Sequence, residues 1–107
     1  MSATATSFPL GSVDALPVGE GRVFEVGGRQ IAVFRCRSGA LHATDAACPH
    51  RGGPLADGLV GDGSVVCPLH GFVFDLCTGD VKDRECARLT TYPVRVLATG
   101  HVEVDLA

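Results

Sequence analysis

The sequence predicts an all-β domain, and three observations carry the prediction. Gly (14) and Pro (6) supply many turns in a chain of 107 residues, a mix that suits short strands joined by tight connections. Apolar residues fall in short β-rich runs bounded by turn signals. No stretch of about 12 residues keeps a 3.6-residue apolar period, so no amphipathic helix is expected. A small antiparallel barrel or sandwich is the architecture that fits.

The elements follow in order. Met1 to Ser7 has no periodicity and reads as a flexible N-terminal tail (residues 1–7), leaving 8–107 as a single domain. Arg22 to Val26 and Arg29 to Phe34 flank Gly27-Gly28, a pair able to take the positive φ of a tight hairpin turn. Ser38-Gly39 turns the chain into Leu41 to Thr44. Residues 45–63 carry Gly, Pro and Asp at intervals too short for a helix and read as loop, with Asp45, Asp57, Asp62 and, later, Asp83 as turn residues. Ser64 to Val66 and Phe72 to Asp75 are short strands, Thr78 to Asp80 is a turn, and Tyr92 to Leu97 with Val102 to Leu106 forms a last hairpin around Thr99-Gly100.

Composition narrows the function. A net charge of −3 and only 9 Lys and Arg leave no basic field for a phosphate backbone, so no nucleic acid is expected. No apolar run approaches the ~18 residues of a membrane span, and Met1 to Phe8 lacks signal-peptide character, which points to no membrane and a cytoplasmic location. In that compartment five cysteines argue for metal binding over a disulfide scaffold. The chain has no dinucleotide fingerprint, P-loop or Ser-His-Asp set, and so no independent substrate site.

Two segments place a cysteine and a histidine together on backbone stiffened by Pro and made compact by Gly: Cys48-Pro49-His50-Arg51-Gly52-Gly53 and Cys67-Pro68-Leu69-His70-Gly71. They read as Cys-x-His, 16 residues, then Cys-x-x-His. A structural zinc could use two thiolates and two imidazoles, but zinc modules usually group cysteines on one element and histidines on another. Mixed segments suit a binuclear cluster in which the thiolates take one iron and the imidazoles the other.

On these segments the chain resembles the Rieske [2Fe-2S] family, over about Val18 to Asp105. The resemblance implies a small Rieske-type antiparallel β sandwich or barrel with two cluster-binding loops, and Cys48, His50, Cys67 and His70 as ligands of the cofactor. Neutral imidazoles leave the oxidised cluster with a formal charge of about 0, against about −2 for four thiolates, which eases reduction. High-potential members of the family add a disulfide between the loops, a Ser that donates to a sulfide and a Tyr that donates to a ligand thiolate. Gly53, Leu69, Phe72 and Phe74 stand at those places here, so a low-potential centre is expected. The family's proline-containing third loop is not recognisable in Arg84 to Leu89.

Among low-potential members the chain is similar to small subunits of NAD(P)H-dependent assimilatory nitrite reductases, through Gly19-Glu20-Gly21, Phe24 to Arg29, Ile31 to Phe34, Cys48 to Leu55 and Leu89 to Val96. That similarity implies nitrate assimilation and a large flavin and sirohaem reductase subunit as partner, where nitrite becomes ammonia. The alternative is a free-standing Rieske ferredoxin passing electrons from a flavin reductase to an oxygenase; a third reading is a structural zinc module. Arg51 and Leu69 neighbour the histidines and read either as part of a docking surface or, respectively, as a solvated loop charge and a cover over the cluster. Cys36, Cys77 and Cys86 read as buried, inert thiols, and His42 and His101 as strand or surface residues.

Overall fold

A computed structural model describes residues 6–47, 54–61, 63–68, 73–81 and 89–106. Among the described residues ten strands form three antiparallel sheets, and the only helical pieces are two single 3-10 turns, Val13–Ala15 and Leu55–Asp57. The expected all-β class is borne out.

The central sheet holds β2 (Glu20–Val26), β3 (Arg29–Arg35), β4 (Leu41–Asp45) and β8 (Thr91–Tyr92), in that order. The hairpin between β2 and β3 closes on Val26 paired with Arg29, and Gly27 and Gly28 both adopt positive φ (55° and 82°), as a two-residue turn with matching twist requires. A second sheet joins β1 (Thr6–Ser12), β10 (His101–Leu106) and β9 (Val94–Val96); a third joins β5 (Leu59–Val60), β6 (Ser64–Val66) and β7 (Val73–Asp75).

Three expectations need correction. β1 begins at Thr6 and pairs with the far end of the chain, Ser7 opposite Asp105, so residues 6 and 7 belong to a strand and not to a tail. The stretch 45–63 is not all loop: Asp45 ends β4, Asp57 ends a 3-10 turn, and β5 follows. The single strand expected from Tyr92 to Leu97 is divided at Pro93. Thr91 and Tyr92 pair with β4, whereas Val94 to Val96 pair with β10. Proline has no N–H to give a ladder, and the Pro93 carbonyl instead accepts from Asp105 N–H at 2.9 Å, so the chain changes sheets there. Phe72, Asp62 and Asp83 lie outside the described residues.

β3 is buried on both faces, as a central strand between two apolar layers must be. Ile31 and Val33 point into a core with Leu16, Val26, Ala43, Val102 and Val104, which joins the central sheet to the β1-β10-β9 sheet. Ala32 and Phe34 point the other way, into a core with Cys36, Leu55, Val65, Phe74, Leu76 and Leu89. This second core carries the third sheet and, directly after β6, Cys67.

Candidate metal centre

Each Cys-His segment is rooted in paired backbone. Residues 48–53 are bracketed by a β-bridge between Ala47 and Pro54, by Ala46 N–H donating to the Gln30 carbonyl (3.2 Å) and by Leu55 N–H donating to the Ala46 carbonyl (3.1 Å). Residues 67–72 are bracketed by the pairing of Val66 with Val73. β5 draws the two roots together, because the chain leaving Pro54 makes one 3-10 turn and then pairs Leu59 with Val66. Gly58 makes that approach possible: a Cβ there would collide with the Val66 carbonyl oxygen, one residue before Cys67.

Cys67 follows β6 directly, is 1% exposed, and is a free thiol packed in the second core. A buried thiolate needs a compensating charge, and an iron supplies one, so the described part of the donor set fits the expected metal chemistry. Cys48, His50 and His70 lie outside the described residues, as do Arg51, Gly53, Leu69 and Cys86. Among the described residues no three His, Cys, Asp or Glu side chains converge as a metal site. Phe74 is fully buried, and its hydrocarbon ring donates no hydrogen bond.

The other cysteines differ from one another. Cys36 is buried in the core as expected, but Cys77 is exposed; it sits on a turn held by Asp75 Oδ1, which accepts from Cys77 N–H at 2.8 Å and Thr78 N–H at 3.1 Å. The turn is built by its aspartate, so nothing draws the thiol inward. His42 is half-buried on β4, and His101 is exposed with Nδ1 3.1 Å from Thr99 Oγ1.

One polar group at the site's edge has no signal in sequence spacing. Tyr92 Oη donates to Asp45 Oδ1 at 2.6 Å and accepts from Arg29 Nη1 at 3.2 Å. Burial, then the bond to Asp45, pushes the Tyr92 hydroxyl above its ordinary pKa, against a smaller opposing effect of Arg29. These three side chains line an open depression of about 590 Å³ that Ala46, Ala47 and Thr90 also line.

The sequence profile of the Rieske [2Fe-2S] domain matches residues 6–93. The chain belongs to the Rieske family. As such it carries a [2Fe-2S] cluster, whose chemistry is the uptake and release of single electrons, and it works with a redox partner; the zinc reading is set aside. Relatives include the ferredoxin subunit of anthranilate 1,2-dioxygenase from Burkholderia cepacia, 38% identical over 102 residues that span 92% of this chain and 90% of that one. The 4beta-methylsterol monooxygenase of Methylococcus capsulatus is 41% identical over 78 residues, 64% of this chain but only 21% of the monooxygenase. Among solved structures, one described as an NADH-dependent nitrite reductase small subunit from Mycobacterium tuberculosis superposes with TM-score 0.91 at 27% identity, over 98% of both chains. The ferredoxin of carbazole 1,9a-dioxygenase from Nocardioides aromaticivorans superposes with TM-score 0.80 at 27% identity, over 90% of this chain and 95% of that one. No helix among the described residues is long and apolar enough to cross a membrane.

Proposed function

We propose that this Rieske protein is a low-potential electron carrier serving the terminal component of a multicomponent oxygenase, with its cluster held by Cys48, His50, Cys67 and His70. The observation that carries the reading is the 38% identity with a dioxygenase ferredoxin subunit across nearly the full length of both chains. Partner choice depends on surface side chains, which identity samples and backbone superposition does not. For that reason the ferredoxin reading, second on sequence motifs alone, is placed first.

The role of the chain's own residues is to hold and insulate. Cys67 would present a thiolate from inside an apolar core, where Phe34, Leu55 and Phe74 exclude water. Phe74 gives the thiolates no hydrogen bond, so the added electron is less stabilised than in high-potential relatives. The second reading is the small subunit of an NAD(P)H-dependent nitrite reductase, favoured by the 0.91 superposition over 98% of both chains.

A stopped-flow experiment separates the two. Protein reduced with dithionite is mixed with the terminal oxygenase of an anthranilate-type dioxygenase or with a sirohaem nitrite reductase large subunit, and reoxidation is followed in visible light. Fast transfer to the oxygenase alone is expected. Transfer to the sirohaem subunit alone replaces the first reading with the second, and a protein that assembles no cluster with two irons defeats both.

A further inference from the structure

At the end of β4 the chain passes from the central sheet towards the first Cys-His segment. Asp45 pairs with Ile31, and its N–H donates to the Thr90 carbonyl at 3.0 Å. Ala46 donates to β3 and accepts from Leu55 N–H, and Ala47 bridges to Pro54. Cys48 comes next. A strand end opens at lower free-energy cost than the strand's centre, and opening here would carry away the root of the first Cys-His segment.

The side chains at this point form a directed chain. Arg29 on β3 can only donate and the Asp45 carboxylate on β4 can only accept, so the Tyr92 hydroxyl between them has one orientation, its oxygen toward Arg29 and its proton toward Asp45. Each bond polarises the next. β8, which carries Tyr92, contributes just two backbone pairs, Ala43 with Tyr92 and Thr44 with Thr91. At Asp45, the last residue of β4, the phenol adds a side-chain bond to the backbone bond that Thr90 accepts.

We propose that the Arg29–Tyr92–Asp45 chain is a positioning device that clamps the root of the first Cys-His segment and thereby retards loss of iron from the protein. The inference rests on the reading that Cys48 and His50 are cluster ligands. A sheet-stabilising role alone would lower global stability without favouring this strand end.

The test compares the full, cluster-loaded chain with Tyr92→Phe, Asp45→Asn and, on another sheet, Arg95→Ala, which removes bonds to Asp105, Glu103 and Ser7. Iron release to a chelator is timed, and hydrogen exchange is measured by mass spectrometry over residues 43–56. Tyr92→Phe is expected to release iron about tenfold faster, the shift in an opening equilibrium for one lost charge-assisted bond. Exchange at Ala46 and Leu55 should rise in step. Asp45→Asn keeps an acceptor for the phenol and should release iron more slowly than Tyr92→Phe. Arg95→Ala should leave iron release unchanged while lowering the melting temperature. Equal iron release in wild type and Tyr92→Phe overturns the proposal, as does equal acceleration in Arg95→Ala. If the wild type assembles no two-iron cluster, the ligand reading fails by itself; the exchange rates then decide the clamp, and rates unaltered by Tyr92→Phe overturn it too.

Discussion

Cys67 and Gly58 meet at one point of the fold and do different work there. The thiol of Cys67 sits in an apolar core, so replacing it with Ser should abolish the visible absorption of the assembled protein while far-ultraviolet circular dichroism shows the strands intact. Gly58 is a question of space: its φ of −75° is open to any residue, but a Cβ would strike the Val66 carbonyl oxygen and lie 3.1 Å from the Leu55 carbonyl oxygen. Backbone atoms on both sides cannot step aside independently. Gly58→Ala is therefore expected to cost about 2–3 kcal/mol, as overpacking does, read from the denaturant midpoint. Gly63 makes the opposite case, with open space around a Cβ but a φ of 82°, so Gly63→Ala should cost about 1–2 kcal/mol through backbone strain alone.

At the scale of elements, ionisable pairs hold the strands that local sequence holds least. Arg95 on β9 bridges Asp105 (2.9 Å) and Glu103 (2.8 Å) on β10 and reaches Ser7 on β1 (2.9 Å). Hydrogen bonds from Arg95 and then Ser7 hold the Asp105 carboxyl below its usual range. The folded state thus binds that proton more weakly than the unfolded chain, and the stabilisation is present above the unfolded pKa of about 4 and lost as pH falls through the folded value. Arg95→Ala should flatten the acid limb of the stability profile, measured by chemical denaturation between neutral pH and pH ~2. On β8 the direction is reversed. Tyr92 is raised, so the stabilisation is complete below the unfolded pKa of about 10 and is lost as pH rises through the folded value. Tyr92 is the only tyrosine, and there is no Trp, so a tyrosinate difference titration reads this group alone. Its midpoint should lie above that of a free tyrosine and fall towards it in Asp45→Ala.

Across the whole molecule, β3 divides two cores with different duties, one joining β1 and β10 to the central sheet and one holding Cys67. With mixed Cys and His ligation and no donor at Phe74, the midpoint potential by protein-film voltammetry should fall near the lower limit for His-ligated clusters, about −150 mV; a value above +100 mV would contradict the proposed low-potential class. The sequence by itself determined what short-range chemistry can encode. Gly27-Gly28 specified the first hairpin, Thr99-Gly100 the last, and the two Cys-His segments the family and its cofactor. Tertiary structure decided whatever depends on residues far apart in the chain. Ser7 meets Asp105 only because β1 pairs with β10; Pro93 divides a strand only because different sheets lie on its two sides. Arg29, Tyr92 and Asp45 sit on three strands with no mutual spacing to betray them, and Gly58 is indispensable only because β6 passes against it. Turn chemistry and apolar alternation act between neighbours and leave a local imprint, whereas long-range strand pairing and its register place distant residues together and leave none.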